Sequence, residues 1–323
     1  MKVIFAGTPE FAAPALAALI GSKHDIVMVL TQPDRPAGRG MHLKASPVKQ
    51  MALQHGLNVY QPETLKTPEV QAHISVALAD VMIVAAYGLI IPTVVLNMFK
   101  LGCYNIHASL LPRWRGAAPI HRALLTGDKE TGVTIMEVVS ALDAGAMVSK
   151  GVVPIRDTDT TQTLHDQLSK IGADLMVQAM DELAKNGTLT FVPQDESLVT
   201  YAHKLVKSES AINWSKSTVE ISRQVRAFNP FPVATAQFRG ETCRIWFASA
   251  LNDKTNVKNG EIVSLNDKTN VKNGEIVSLG ANIHAACGQG ILEIHELQMP
   301  GGKRQTASQF IQGQHVKLGE LFS

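Results

Sequence analysis

Cysteine is scarce in this sequence, and its three cysteines lie far apart, at Cys103, Cys243 and Cys287. That number and spacing exclude a disulfide framework and give no metal-binding motif, so a reducing cytoplasm is the expected compartment. The formal net charge is only +2, which excludes a surface that is basic all over. No apolar run is long enough to span a membrane, and the first residues resemble a strand rather than a signal peptide.

The first half of the 323 residues alternates apolar runs with helical patterns. Strands are predicted at 2–7, 25–31, 80–88, 103–109 and 131–138, and helices at 11–22, 67–79, about 117–125 and about 160–185. This alternation predicts the α/β class, with a doubly wound, mostly parallel sheet and helices on both faces. The length favours two domains, and we expect a first domain over 1–187, a linker over 188–207 and a second domain over 208–323.

The second half has short strands and Gly-rich turns after a helix predicted at about 217–228, a pattern typical of a small antiparallel β-barrel. Within it the segment "LNDKTNVKNGEIVS" occurs at 251–264 and again, unchanged, at 265–278. We interpret this repeat as a duplication inside a surface loop, since doubling a loop costs only about 0.6 kcal/mol of closure entropy. One copy should supply a barrel strand, and the other should loop out or form a peripheral hairpin.

Three polar residues suggest a reaction site in the first half. Asn105 and His107 lie on one face of their predicted strand, and Asp143 follows the next strand in "SALDAGAM". Ligands bind beyond the carboxyl ends of parallel strands, so we expect these three residues to meet. An amide donor, an imidazole and a carboxylate suit acyl transfer to an amine, through oxyanion stabilisation, proton transfer and orientation of the imidazole. No cysteine or serine lies in a nucleophile motif, which favours direct transfer.

Each of the three residues also has a purely structural explanation. On spacing alone, a strand-end cap and a buried, hydrogen-bonded histidine explain Asn105 and His107 better than catalysis does. Asp143 alone fits a turn, because Asp-Ala-Gly is favourable turn chemistry. The combination of all three with "SLLP" at 109–112 is what favours a site.

The segments "NIHASLLPRWRGAAPI" and "TGVTIMEVVSALDAG" resemble those of the folate-dependent formyltransferases, as do "VIFAGTPEFA", "TQPDRPAGRG", "AAYGLIIP" and "RAFNPFP". The resemblance implies a C-terminal barrel similar to an OB-fold, 10-formyltetrahydrofolate as formyl donor and no metal. It implies that Asn105, His107 and Asp143 are catalytic. The residues that it implies for tetrahydrofolate binding are Ser109, Leu110, Leu111, Pro112, Gly88, Leu89 and Ile90, with the loop 140–143 beside them.

A basic loop at 31–49 bears on the formyl acceptor, because Arg35, Arg39, Lys44 and Lys49 stand there against a single acid, Asp34. A solvated surface loop is one explanation. The resemblance implies instead an arm that contacts the acceptor stem of initiator methionyl-tRNA, the substrate for translation initiation, through Arg35, Arg39 and Lys44.

Two further pairs of basic residues remain open between two interpretations. The resemblance implies RNA backbone contacts by the C-terminal barrel through Lys303 and Arg304 in "PGGKRQ", and an exposed turn explains these residues equally well. Arg113 and Arg115 flank Trp114 beside the predicted site, where they contact the tRNA end or only pack.

Other function classes compete with this interpretation. A formyltransferase for a small amine, such as glycinamide ribonucleotide or an amino sugar nucleotide, would use the same chemistry, but it would not need the loop 33–45 or the barrel. A nicotinamide dehydrogenase is disfavoured because "AGTPEFAA" lacks the G-x-G-x-x-G glycines. A non-catalytic RNA-binding protein is disfavoured by the intact Asn105, His107 and Asp143. We expect a monomer.

Overall fold

A computed structural model describes residues 1–37, 42–251 and 271–323. The chain folds into two compact units. The first unit comprises 1–119, 130–154 and 165–203, and the second comprises 120–129, 155–164 and 204–323. The domain limits expected from the sequence, 1–187, 188–207 and 208–323, stay a prediction.

The helices and strands follow one another in this order. The first half contains β1 (Lys2–Gly7), α1 (Ala13–Ile20), β2 (Asp25–Leu30), β3 (Arg35–Ala37), β4 (His42–Lys44), α2 (Pro47–Gln54), β5 (Val59–Tyr60), α3 (Pro68–Ser75), β6 (Val81–Ala85), α4 (Thr93–Leu96), β7 (Cys103–His107), β8 (Arg115–Gly116), α5 (Pro119–Thr126), β9 (Glu130–Glu137), β10 (Met147–Pro154) and α6 (Thr161–Asn186). The second half contains β11 (Tyr201–Ala202), α7 (Thr218–Ala227), β12 (Ala234–Phe238), β13 (Glu241–Leu251), β14 (Ile276–Leu279), β15 (Ile283–Ala286), β16 (Ile291–Gln298), β17 (Gln305–Thr306) and α8 (Ala307–Gln314).

A seven-stranded sheet forms the centre of the first unit, in the order β10-β9-β7-β6-β1-β2-β5. The pairs β1–β2, β1–β6, β2–β5 and β6–β7 are parallel, whereas β7–β9 and β9–β10 are antiparallel. The prediction of a mostly parallel α/β sheet is therefore confirmed. Strands β1 and β6 are buried along almost their whole length, as expected of parallel strands covered on both faces.

The second unit contains an antiparallel sheet in the order β12-β13-β16-β15-β14, with β17 beside β16. Two residues near the end of the chain connect the two edge strands of this sheet. Phe322 bridges to Phe238 at the end of β12, and Leu321 bridges to Glu275 just before β14. These bridges close the sheet around a core that includes Ile245, together with other apolar side chains of the same strands. The predicted antiparallel barrel is confirmed in this form.

The second copy of the 14-residue repeat contributes to this sheet. Its "IVS" lies in β14, where Ile276 is buried and pairs with Ala285 of β15. The expectation for the first copy concerns residues 252–264, which lie outside the described residues.

The described residues include free thiols and α-helices of 4 to 26 residues. Cys103, Cys243 and Cys287 are all buried and unbridged, and burial raises the pKa of the Cys103 thiol to about 12. None of the helices within 1–37, 42–251 and 271–323 has the length and hydrophobicity needed to cross a bilayer.

Candidate active site

The strand β7 ends at His107, and a tight turn follows it. The Ser109 hydroxyl donates to the Arg113 carbonyl at 2.7 Å, which closes the turn on itself. Thr134 of β9 fastens it to the sheet, since its hydroxyl donates to the Ser109 carbonyl at 2.7 Å and accepts the Leu111 N–H at 3.1 Å. The end of β7 is therefore held rigidly by its neighbour strand.

The His107 side chain is only 6% exposed, and both of its ring nitrogens face oxygen atoms. Its Nε2 lies 2.9 Å from the Trp114 carbonyl oxygen, and its Nδ1 lies 3.7 Å from Asp143 Oδ2. The first distance is a hydrogen bond, whereas the second is longer than one. The ring is therefore held through Nε2, while Nδ1 faces the Asp143 carboxylate without a hydrogen bond to it.

Asp143 sits in a turn whose geometry fixes its carboxylate. Its φ is 46°, a left-handed conformation that Asp tolerates better than most residues. The Gly116 N–H donates to Asp143 Oδ2 at 2.8 Å. Two residues later Gly145 leaves no room for a side chain, since a Cβ there would lie 1.9 Å from the Glu137 carbonyl oxygen. Asp143 therefore both forms the turn expected from the sequence and lies close to His107.

The prediction that parallel strand ends bring Asp143 to His107 is wrong in its reason. Strands β7 and β9 are antiparallel, and Glu137 at the end of β9 pairs with Tyr104 near the start of β7. The carboxyl end of β9 thus lies far from His107 along β7. The loop 138–146 covers this distance and returns Asp143 to the imidazole.

Asn105 lies two residues before His107 on β7, so both side chains point to the same face. It is half-buried, and among the described residues no hydrogen bond joins its side-chain amide to another group. Asn105, His107 and Asp143 thus supply an amide, an imidazole and a carboxylate at one place. Within the described residues no cluster of His, Cys, Asp and Glu could hold a metal ion.

The loop after β6 carries three of the residues expected to bind folate. Gly88 is exposed with a φ of 80°, a left-handed conformation that favours glycine. Leu89 packs against the core, whereas Ile90 is 72% exposed. On the loop after β9, Leu142 is 65% exposed. Both loops therefore present apolar side chains to solvent.

The SLLP segment is held in place by internal contacts. Ser109 and Leu111 are fully buried, whereas Leu110 and Pro112 are partly accessible. The Lys150 Nζ donates to the Leu111 carbonyl at 2.6 Å, and burial lowers the pKa of this lysine. Contact of the segment with folate stays a prediction, and the side chains open to it are those of Leu110 and Pro112.

The predicted RNA-binding loop is described only in part. Arg35 is exposed and donates to Gln32 at 3.1 Å, and Lys44 is also exposed. Arg39 lies outside the described residues. The Lys49 ammonium, 2.6 Å from Asp34, lowers the pKa of that carboxyl, so these two charges largely compensate each other.

The remaining arginines differ in exposure. Arg115 is 3% exposed, and its guanidinium pairs with Glu196 at 2.7 Å, which favours a structural role for it over contact with RNA. Arg113 is exposed and its guanidinium lies 4.4 Å from the centre of the Trp114 ring. In the second unit, Lys303 and Arg304 are exposed in a turn, where Arg304 forms an ion pair and a cation–π contact.

Two residues that hold this site together, Gln194 and Thr200, were not predicted from the sequence. Gln194 bonds the Asp143 and Gly145 carbonyls, both at 2.8 Å. Thr200 accepts the Trp114 N–H at 2.9 Å, which fixes a residue whose φ is 67°. Both lie in the extended segment after α6, where the sequence has no periodicity to signal such contacts.

A cavity of about 700 Å³ lies near the start of β7, at the end away from His107. Residues of 93–104, 137–140 and 183–191 line it, among them Tyr104, Glu137 and Phe191. The lining includes neither the catalytic candidates nor Gly88, Leu89 and Ile90. Burial raises the pKa of Tyr104 to about 12.

Two family models match the chain. The model described as formyl transferase matches residues 1–180, and the model described as formyl transferase, C-terminal domain, matches residues 204–315. The methionyl-tRNA formyltransferase of Methylobacillus flagellatus is 59% identical over 322 residues, covering 100% of this chain and 99% of the relative. The enzyme of the same name from Dechloromonas aromatica is 51% identical, also over 100% of this chain and 99% of its own length.

Solved structures share the fold at low sequence identity. An N-formyltransferase from Helicobacter canadensis, in complex with folinic acid and dTDP-3-aminofucose, matches with a TM-score of 0.65 and 16% identity over 94% of this chain and 100% of its own. HypX from Aquifex aeolicus in complex with tetrahydrofolic acid matches with a TM-score of 0.62 and 14% identity, over 100% of this chain and 50% of its own.

Proposed function

The chain belongs to the formyl transferase family, and we propose that it transfers the formyl group of 10-formyltetrahydrofolate to the α-amine of initiator methionyl-tRNA. The observation that carries this proposal is the high identity, over the whole length, to methionyl-tRNA formyltransferases. The family resemblance noted from the sequence is confirmed by the same matches. The residues that perform the reaction are inferred from the geometry of the site.

The reaction joins the amine nitrogen to the formyl carbon and breaks the bond from that carbon to N10 of the folate. An α-amine titrates near ~7.7–8.0, so part of it is neutral and nucleophilic at neutral pH. The half-buried amide of Asn105 donates a hydrogen bond to the formyl oxygen, on which negative charge develops in the tetrahedral intermediate.

His107 moves the proton, and its positive charge stabilises the oxyanion. Since Nε2 bonds the Trp114 carbonyl, Nδ1 is the atom that accepts the proton of the attacking amine and passes it to the departing N10. Asp143, 3.7 Å from Nδ1, stabilises the charged ring without needing to be protonated itself. The Trp114 carbonyl, bonded to Nε2, fixes the plane of the ring.

The folate fits the chemistry of the loops beside these residues. A pteridine ring is flat and largely apolar on its faces, and Ile90 and Leu142 expose most of their side chains on the loops 86–92 and 138–146. Gly88 permits close approach of the backbone. We assign these loops, with Leu89 and the accessible Leu110 and Pro112, to tetrahydrofolate binding.

We assign binding of the acceptor tRNA to basic side chains. Arg35, Lys44 and Arg39 would contact the tRNA acceptor stem, and Lys303 and Arg304 would contact its backbone. A weak first base pair of that stem opens at low cost, which lends selectivity for the initiator form.

We further propose that the protein acts as a monomer in the cytoplasm. Formylation must follow the charging of tRNA and precede initiation, and both occur where ribosomes work. The buried, unbridged thiols of Cys103, Cys243 and Cys287 are compatible with a reducing compartment.

The experiment that tests this proposal measures single-turnover formyl transfer from 10-formyltetrahydrofolate. The acceptors are initiator methionyl-tRNA, elongator methionyl-tRNA and glycinamide ribonucleotide, each with the wild type and with His107→Ala. We expect transfer to the initiator form only, reduced by about 10²–10⁴-fold in the variant. Transfer only to the small amine would refute the acceptor, and normal turnover by a folded His107→Ala variant would refute the role of the histidine.

A further inference from the structure

The side-chain amide of Gln194 joins two loops beside the catalytic candidates Asn105, His107 and Asp143. Both N–H groups of the Gln194 amide are used, one on the Asp143 carbonyl and one on the Gly145 carbonyl, each at 2.8 Å. Its Oε1 accepts from Arg115 Nε at 3.0 Å. A single half-buried amide therefore ties the Asp143 turn to the loop that follows β7.

The loop that follows β7 has two further contacts of its own. Arg115 pairs with Glu196, and the Gly116 N–H donates to Asp143 Oδ2. Gln194 holds the backbone of the aspartate while Gly116 holds its carboxylate. The two contacts act on opposite ends of the same residue and together define the direction of its side chain.

We propose that Gln194 is a positioning residue for the formyl transfer reaction. It holds the Asp143 turn so that the Asp143 carboxylate lies beside His107. The proposal rests on the proposed function and adds a residue to it. Asp143 has a φ of 46°, a conformation that is retained only where the surroundings impose it. The loop also crosses from the end of β9 to the end of β7 without regular structure of its own, so its register depends on such ties.

The side chain must be glutamine for this contact. A carboxylate would place oxygen atoms against the two carbonyl oxygens and repel them, and an apolar side chain would leave both carbonyls without these donors. Displacement of a catalytic group by about 1 Å can cost about 10²-fold in rate. The effect should appear in the rate at saturating folate, and the KM for tRNA should not change, because Gln194 bonds the loop 138–146 and none of the basic residues assigned to tRNA.

The experiment is a double-mutant cycle on single-turnover rate with saturating substrates, using Gln194→Met, Asp143→Asn and the double variant. Gln194→Met keeps the length of the side chain and removes its donors. We expect a loss of about 10–10²-fold in the wild-type background and less than about twofold in the Asp143→Asn background, because the residue acts through the aspartate. The KM for tRNA should not change.

Glu196→Gln supplies the matched control. It weakens the ion pair of Arg115 in the same segment while leaving the bonds of Gln194 intact, and the Glu196 side chain is 72% exposed. We expect less than about a twofold change in rate. Gln194→Asn, which withdraws the amide by one methylene, replaces Gln194→Met if the latter fails to fold.

The outcomes separate the inference from the function on which it rests. A wild-type rate in Gln194→Met, or equal losses in both backgrounds, would overturn the positioning role while leaving formyl transfer in place. A loss in Glu196→Gln as large as in Gln194→Met would also overturn it, because it would reflect general loosening of the segment. Absence of formyl transfer by the wild type to any acceptor would overturn both.

Discussion

The Nδ1 atom of His107 lies 3.7 Å from Oδ2 of Asp143, although His107 ends β7 and Asp143 follows β9, an antiparallel neighbour whose carboxyl end lies beside the start of β7. The contact between them therefore depends on the loop 138–146, which runs from the end of β9 back along β7 towards His107. Hydrogen bonds from Gly116 and Gln194 to Asp143 fix the conformation of this loop. It follows that variants in the loop should alter the reaction more than the stability of the sheet.

Asp143→Asn is expected to lower the single-turnover rate by about 10²-fold or more while leaving the melting temperature almost unchanged. The amide oxygen can still accept the Gly116 N–H, but the negative charge beside the His107 ring is lost. Asp143→Ala serves as the comparison, because it removes the hydrogen bond as well and should also lower the melting temperature. A normal rate in Asp143→Asn would show that the charge has no part in catalysis.

Gly145→Ala is expected to destabilise the first unit by about 1–3 kcal/mol and to reduce the rate as well. The added Cβ would lie 1.9 Å from the Glu137 carbonyl oxygen, so the backbone of the Asp143 turn must move. Gly21→Ala in the same unit is the control, since its Cβ would meet backbone oxygens only at 3.7 Å. Urea unfolding of both variants checks the difference, and equal midpoints would contradict the steric argument.

The parallel core could be predicted because its strands are recognisable one by one. Each of β1, β2, β6 and β7 is a short apolar run bounded by turn or helix signals, and parallel strands buried on both faces have that composition. Strand β10 was missed, since "MVSKGVVP" interrupts its apolar residues with a lysine and a glycine. The direction of β9 could not be predicted either, because it depends on a loop whose course is set by contacts distant in sequence.

The candidate site was predicted only as far as residue types reveal it. Asn105 and His107 follow from the alternation along one strand, which is a local property. Gln194 and Thr200 stand 49 or more residues after the groups they hold in the Asp143 turn and at Trp114. Such contacts leave no periodic signal in the sequence, and only the folded chain brings them together.

Lys44→Glu is expected to lower kcat/KM for methionyl-tRNA by about tenfold and to reduce its dependence on salt. Lys44 is exposed on the basic loop, so reversing its charge repels phosphate without disturbing the core. Lys23→Glu, which reverses an exposed charge between α1 and β2, is the control and should change little. Equal effects of the two variants would mean that only the overall charge matters, which would contradict a specific RNA contact by the loop.

The second unit is expected to lose stability as the pH falls below about 6.5, because of His284. Burial lowers the pKa of His284 from its ordinary value of 6.5, even though Glu293 at 3.6 Å on β16 acts in the opposite direction. The unfolded chain therefore binds a proton near pH 6.5 that the folded chain binds only at lower pH. The free energy of unfolding then rises with pH in that interval and falls on acidification.

His284→Gln removes this titration and should flatten the pH dependence of unfolding just below pH 6.5. The measurement is urea unfolding followed by the fluorescence of Trp214, which is buried in the core of the same unit, with the other tryptophans, Trp114 and Trp246, replaced by phenylalanine. His295 also faces Glu293, at 3.5 Å, so His295→Gln is the matched control. An unchanged slope in His284→Gln would show that another group causes the acid sensitivity. Glu293 itself does not confuse the result, since its own pKa is lowered from 4.5 and it titrates below this interval.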